Sequence, residues 1–148
     1  RNAHYYSPEV MNEQAGALGE ACAKAIEESG KKVVLISSHS LSHRHFVTES
    51  PLPEDMSREH IYNHSQYVWD MKLVDLMREG KMKEVIDIIP EFTEQTIAET
   101  EAGGLTWMMA AMGYPEYPAE IYGYQSVIGT GNLIAAWDPV EVTREIVL

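Results

Sequence analysis

The strongest constraint on the fold is a capped helix that leads directly into a short apolar run. Ser7-Pro8-Glu9 is a typical helix start, because Ser is a good N-cap and Pro fits the first helical position. The helical pattern ends at Gly30, and "KKVVLISS" follows at residues 31–38. This β-branched run predicts a buried strand. A helix that enters such a strand is the second half of a β-α-β unit, so we expect an α/β fold.

The middle of the chain predicts helices separated by turns. Residues 47–58 are rich in prolines and acids and predict a loop. A helix is expected from about residue 60 to 79, ended by Gly80, with these residues directed inward: Tyr62, Trp69, Leu73, Leu76 and Met77. A short helix should stop at Pro90, which begins the next one. That next helix should direct Phe92, Thr96 and Ile97 inward.

The last third predicts a buried helix and a hairpin. "LTWMMAAMG" at residues 105–113 is so apolar that it must be buried. Two strands should follow within residues 119–139, joined by the turn Gly129-Thr130-Gly131-Asn132. This "GTGN" lacks the spacing of a dinucleotide-binding loop and opens no helix, so we interpret it as a hairpin turn.

Length and charge exclude several classes of protein. The chain has 148 residues, which suits one domain. Its 23 acids and 11 bases give a formal charge of −12, and no basic stripe is present, so nucleic-acid binding is not expected. No apolar run approaches the roughly 20 residues that cross a membrane. The single cysteine, Cys22, cannot form an internal disulfide, which favours a reducing cytoplasm.

The segment "SSHSLSHRHF" at residues 37–46 concentrates three of the six histidines. It follows the predicted strand, and functional groups gather at the carboxyl ends of strands in open α/β sheets. If the strand continued, His39, His43 and His45 would share one side and could form a metal site. Their spacing matches no common structural zinc pattern. We therefore favour a single catalytic histidine, because imidazole both accepts and donates a proton near neutral pH.

Other polar residues are weaker candidates. Glu99 and Glu101 end a helix just before two glycines and the apolar "LTWMMAAM". A carboxylate that enters apolar surroundings is costly unless it is paired or metal-bound, yet from these residues alone we favour an ordinary helix-end position for Glu99. His60 and His64 lie four residues apart in a polar segment, and we interpret them as solvent-exposed.

Several long blocks together resemble a known family. These are "VVLISSHSLSHRHF", "LPEDMSREH", "YVWDMKLVDLMREGK" and "IAETEAGGLTWMMAAMGYPE", followed by "AEIYGYQSVIGTGN". In this order they resemble the carboxyl-terminal half of the catalytic subunits of extradiol ring-cleaving dioxygenases, in the protocatechuate 4,5-dioxygenase superfamily and its aminophenol branch. The resemblance covers nearly the whole chain, from about residue 3 to 139.

The resemblance implies a fold, a metal and site residues. The fold would be α/β, with a mixed β-sheet flanked by helices, and residues 1–148 would form the carboxyl-terminal part of one larger catalytic domain. Non-haem Fe(II) would be held by two histidines and one glutamate. Glu99 matches the glutamate ligand, with Glu101 as its competitor, and the two histidines are expected outside this sequence. His43 corresponds to the acid–base residue, whereas His39 and His45 receive no role.

The implied reaction is the opening of 2-aminophenol or a substituted relative by O2 to a muconic semialdehyde. A related α subunit would be the partner in a hetero-oligomer. One iron ligand of three suggests that this chain alone is inactive. The alternatives are a non-catalytic subunit, an enzyme acting on catechol or protocatechuate, and a different metalloprotein that uses His39, His43 and His45 together.

Overall fold

A computed structural model describes residues 7–43 and 63–139, and His45, His60 and the predicted loop at 47–58 lie outside this part. The described residues form four α-helices and a β-hairpin. In chain order these are α1 (Pro8–Ser29), α2 (His64–Arg78), α3 (Met82–Thr96), α4 (Gly103–Ala111), β1 (Glu120–Val127) and β2 (Thr130–Ala136). The α/β class is confirmed, and the sheet in this part of the chain consists of two antiparallel strands.

Helix α1 begins and ends where the sequence predicts. The Ser7 hydroxyl accepts a hydrogen bond from the Val10 N–H at 3.3 Å. At the other end Gly30 has a φ of 62° and donates its N–H to the Glu27 carbonyl. Such a left-handed C-cap favours glycine, because glycine has no Cβ to clash with the backbone. The two caps therefore account for the bounds of the helix.

Helix α3 contradicts the expected break at Pro90, because it runs unbroken through that residue. Proline removes one backbone hydrogen bond and costs about 3 kcal/mol inside a helix. Val85, Ile89 and Phe92 nevertheless form one fully buried face across it. Their burial stabilises the helix by about 1.5–3 kcal/mol each, which outweighs the loss. Thr96 is buried as expected, but Ile97 is 40% exposed and ends the helix in a left-handed conformation.

The predicted strand at residues 31–38 is wrong for the described structure. These residues have no strand conformation, and Val34 and Ile36 are 85% and 79% exposed. A buried strand needs hydrogen-bonded neighbours and a covering layer. Residues 32–38 make no backbone–backbone hydrogen bond with any other described residue. The apolar pattern therefore has no sheet to join within the described ranges.

The hairpin forms as predicted, but its turn is shorter. Val127 pairs with Thr130, so the connection consists only of Ile128 and Gly129. Both have positive φ, 51° and 75°, as a two-residue turn matched to the strand twist requires. Gly131, which the sequence placed in the turn, therefore lies within strand β2.

The core lies between the helices and one side of the hairpin. Helix α2 begins at the N-cap Asn63 and directs Leu73 and Met77 into this core, as predicted, whereas Trp69 and Leu76 are only partly buried. Leu105 and Met109 of α4 enter the same core. Within the residues described, no helix has the length and apolar character needed to cross a membrane.

Close packing of α1 on α4 generates a stability prediction. A Cβ on Gly19 would lie 2.6 Å from the Ala110 Cβ and would also contact the Trp107 carbonyl, whereas one on Gly16 would lie an ordinary 3.7 Å from the Tyr114 hydroxyl. We expect Gly19→Ala to lower the free energy of unfolding in urea by about 1–3 kcal/mol. Gly16→Ala is the matched control and should be neutral or stabilising by up to about 1 kcal/mol. Equal effects of the two variants would contradict this packing.

Candidate functional site

Residues 40–43, here the histidine loop, contain the candidate acid–base residue. The chain bends at Leu41 and Ser42, so the extended conformation that would align His39 with His43 does not continue through the loop. The Leu41 N–H donates to the Gly131 carbonyl at 2.9 Å, and the His43 N–H donates to the Thr96 carbonyl at 3.1 Å. The loop is thus attached to β2 on one side and to the end of α3 on the other.

Glu99 contacts the histidine loop directly. Its Oε2 accepts hydrogen bonds from both the backbone N–H and the hydroxyl of Ser40, each at 3.1 Å. The backbone hydrogen bond is the main cause that lowers the pKa of Glu99 below its usual value. Its other oxygen, Oε1, accepts no hydrogen bond from the described residues, so it is available to a further partner such as a metal ion.

Two histidines lie close enough to Glu99 to interact with its charge. His43 and His39 both lower the pKa of Glu99, less than the hydrogen bonds do. The His39 Nδ1 lies 2.8 Å from the Ser40 carbonyl, which can only accept, so Nδ1 carries the proton of this contact. His39 and His43 therefore interact electrostatically with Glu99, although they lie far from it in the sequence.

The backbone after Glu99 adopts an uncommon conformation. Residues Glu99–Ala102 form one 3₁₀ turn in which Thr100, Glu101 and Ala102 have φ of 48°, 53° and 55°. Left-handed geometry costs about 1–2 kcal/mol at each non-glycine residue, and such strain clusters at functional sites. Glu101 is only 5% exposed, whereas Glu99 is half-buried beside Ser40. The two candidate glutamates thus occupy different surroundings, and Glu99 is the one held by the histidine loop.

Among the described residues, the other candidate ligands do not form a metal site with Glu99. Within residues 7–43 and 63–139 no three His, Cys, Asp or Glu side chains form a cluster suited to a metal ion. His64 is exposed at the start of α2 and stacks on Tyr67, with ring centroids 6.2 Å apart. This agrees with the solvent-exposed interpretation of His64. The described residues thus bring together His39, His43 and Glu99, without His64.

Sequence reasoning missed three polar residues that contact the histidine loop: Gln66, Asp70 and Tyr124. Burial raises the pKa of Asp70, although hydrogen bonds from Tyr124 and Ser42 oppose this. Burial also raises the pKa of Tyr124, and so does its hydrogen bond to Asp70. A signal existed, because positions 66 and 70 lie on the same helical stripe as Leu73 and Met77. Polar residues on an apolar stripe indicate buried hydrogen bonds.

The hydrogen bonds between Ser40 and Glu99 lead to a prediction about the pKa of Glu99. Ser40→Ala removes the hydroxyl but keeps the main-chain N–H, so we expect the pKa of Glu99 to rise part of the way toward its usual value. Carbon NMR titration of the Glu99 carboxyl, assigned by comparison with Glu99→Gln, measures this. Ser38→Ala is the matched control, because Ser38 is exposed and does not contact Glu99. An unchanged Glu99 titration in Ser40→Ala would contradict the contact.

Comparisons with known proteins show which enzymes this chain resembles. Residues 3–135 match the family described as the catalytic LigB subunit of aromatic ring-opening dioxygenase. The chain is 47% identical over 138 residues to the 2-aminophenol 1,6-dioxygenase beta subunit of a Pseudomonas species, across 93% of this chain and 45% of that protein. It is 30% identical over 105 residues to 3,4-dihydroxyphenylacetate 2,3-dioxygenase of Escherichia coli, across 71% and 37%.

The chain spans less than half the length of these two relatives. The family match nevertheless extends over most of the chain and includes the histidine loop and Glu99. The chain belongs to the family of catalytic LigB subunits of aromatic ring-opening dioxygenases.

Proposed function

We propose that this chain is the carboxyl-terminal part of the catalytic domain of an Fe(II)-dependent extradiol dioxygenase. The enzyme opens 2-aminophenol, or a substituted relative, with O2 to give a muconic semialdehyde. The observation that carries this proposal is the Glu99 carboxylate, held by two hydrogen bonds from Ser40 beside the loop that contains His43. The similarity to a 2-aminophenol 1,6-dioxygenase beta subunit supports the choice of substrate.

Glu99 is the proposed metal ligand of this chain. Both hydrogen bonds from Ser40 end on Oε2, which orients the carboxylate and leaves Oε1 for the ion. A low pKa suits this role, because a ligand carboxylate must be ionised. Two histidine ligands would come from the part of the protein that corresponds to the remaining length of the relatives, on the same polypeptide or another. Fe(II) held there would bind the two substrate heteroatoms and O2.

His43 is the proposed acid–base residue. The substrate must lose a hydroxyl proton to bind in its chelating form, and a neutral imidazole accepts such a proton near pH 7. The protonated ring then lies in the field of Glu99, which stabilises it until the proton is returned to oxygen. Hydrogen bonds on both sides of the histidine loop limit the movement of this side chain during the cycle.

The proposed assembly is a hetero-oligomer with a related α subunit in a reducing cytoplasm, and the beta-subunit name of the more similar relative supports the pairing. A catechol substrate is the second candidate, because the other relative acts on 3,4-dihydroxyphenylacetate, as its name states. A non-catalytic subunit is disfavoured, since such a chain has no reason to keep both His43 and Glu99 in contact with one loop.

Substitution of His43 tests the acid–base role. In the assembled, iron-loaded enzyme, we expect His43→Ala to lower kcat for 2-aminophenol by about 10²–10⁴-fold, because a positioned acid–base group contributes that much. Iron content, measured by elemental analysis, should remain unchanged. The control is His64→Ala, which alters an exposed histidine on α2. Loss of iron from His43→Ala would instead support a metal site formed by His39, His43 and His45.

Substitution of the two glutamates tests the ligand assignment. We expect Glu99→Gln to lower the affinity for Fe(II) at least tenfold, because a neutral amide is a poorer ligand than a carboxylate. Glu101→Gln should keep that affinity. Iron titration followed by calorimetry compares the two variants under the same conditions. The opposite order of affinities would transfer the ligand role to Glu101.

A further inference from the structure

Asp70 is a buried carboxylate that pairs with no cationic side chain in the part of the chain that the structure describes. Its side chain is fully buried on α2, and it forms no ion pair with the other described residues. Its Oδ1 accepts the Ser42 N–H at 2.9 Å, and its Oδ2 accepts the hydroxyls of Ser42 and Tyr124 at 2.7 and 2.5 Å. Burial of a carboxylate is costly unless its oxygens are satisfied, and here three donors satisfy them. Two of these three come from Ser42, the residue directly before His43.

A second residue of α2 contacts the same loop. Gln66 lies one turn before Asp70, and its side-chain amide donates to the His43 carbonyl at 3.2 Å and to the Thr96 carbonyl at 2.9 Å. Residues four apart share one helical face, so this face of α2 presents two polar groups to the histidine loop. The Ser42 N–H and the His43 carbonyl are therefore held by side chains of α2.

The hairpin also contacts the histidine loop. The Gly131 N–H donates to the Ser42 carbonyl at 3.1 Å. A Cβ on Gly131 would overlap Asp70 Oδ2 and would lie 2.6 Å from the Tyr124 hydroxyl and 2.8 Å from the Ser42 hydroxyl. Only glycine therefore lets β2 approach the carboxylate and its two hydroxyl donors. The segment "GTGN" thus forms part of the hairpin, and its Gly131 also allows strand β2 to lie close to Asp70.

We propose that Asp70 is a positioning residue for His43: it fixes Ser42 through two hydrogen bonds, from the Ser42 N–H and the Ser42 hydroxyl, and thereby holds the imidazole toward Glu99. This rests on the acid–base role proposed for His43. Asp70 does not itself touch the reacting atoms, because Ser42 and Tyr124 occupy its oxygens. Its contribution is geometric, so the hydrogen-bonding shape of the side chain should matter more than its negative charge.

The test compares two variants of Asp70 in the assembled, iron-loaded enzyme. We expect Asp70→Ala to lower kcat for 2-aminophenol by about 10–100-fold, with KM and iron content unchanged, because a small misplacement of a catalytic group has effects of this size. Asp70→Asn should restore most of kcat. Its amide oxygen can accept the Ser42 N–H, and its NH2 can donate to the two hydroxyls once they rotate. Asp75→Ala, an exposed site on the same helix, is the matched control.

Combination with His43→Ala separates positioning from general stability. In the His43→Ala background we expect Asp70→Ala to cause no further loss of kcat, because the group that it positions is already gone. A further loss of the full size would overturn the proposal, and so would an Asp70→Asn variant as slow as Asp70→Ala. Full activity of His43→Ala alone would instead refute the acid–base role, and the positioning role with it.

A milder variant keeps the proposal falsifiable if Asp70→Ala does not fold. Ser42→Ala removes one hydroxyl hydrogen bond to Asp70 but keeps the backbone bond. We expect a loss of about threefold to tenfold in kcat, the size of one hydrogen bond, again absent in the His43→Ala background. Wild-type kcat in Ser42→Ala, with the protein folded, would overturn the proposal.

Discussion

The hydrogen bonds between Asp70 and Ser42 are the contact on which the arrangement of the site depends. The histidine loop has no helix or strand of its own, so the side chain of Asp70 on α2 adds to the few backbone hydrogen bonds that the loop makes with Thr96 and Gly131. A short carboxylate suits this task, because its two oxygens accept three hydrogen bonds in defined directions. Leu73 and Met77 of α2 are buried in the core, and Asp70 on the same helix connects the loop to it.

The same loop also orients the candidate metal ligand, Glu99. Ser40, two residues before Ser42, holds Glu99 through its backbone and its hydroxyl. Glu99 is the first residue of a turn in which Thr100 and Glu101 adopt left-handed conformations, and these conformations cost backbone free energy. One short loop therefore orients both the proposed proton carrier and the proposed ligand. Their separation would vary little even if the turn after Glu99 moved.

Local signals in the sequence were reliable, and signals that depend on distant partners were not. The caps of α1, the buried α4 and the hairpin follow from nearby residues, and all were predicted. The break at Pro90 failed because a continuous apolar face outweighs one lost hydrogen bond, and the strand at 31–38 failed because no described neighbour pairs with it. Resemblance to a family indicated His43 and Glu99, but Asp70 became visible only through its contacts.

The lack of a side chain at Gly131 has a consequence for how this part of the protein can evolve. No side chain fits there while Asp70, Ser42 and Tyr124 meet beside it. A chain that replaced Asp70 with a smaller residue would free the largest part of the volume that excludes alanine at 131 and would release the two hydroxyls that Asp70 holds there. The two positions, 61 residues apart in the sequence, should therefore vary together among relatives rather than independently. Such covariation would arise from shared volume, with no change in the residues that carry out the chemistry.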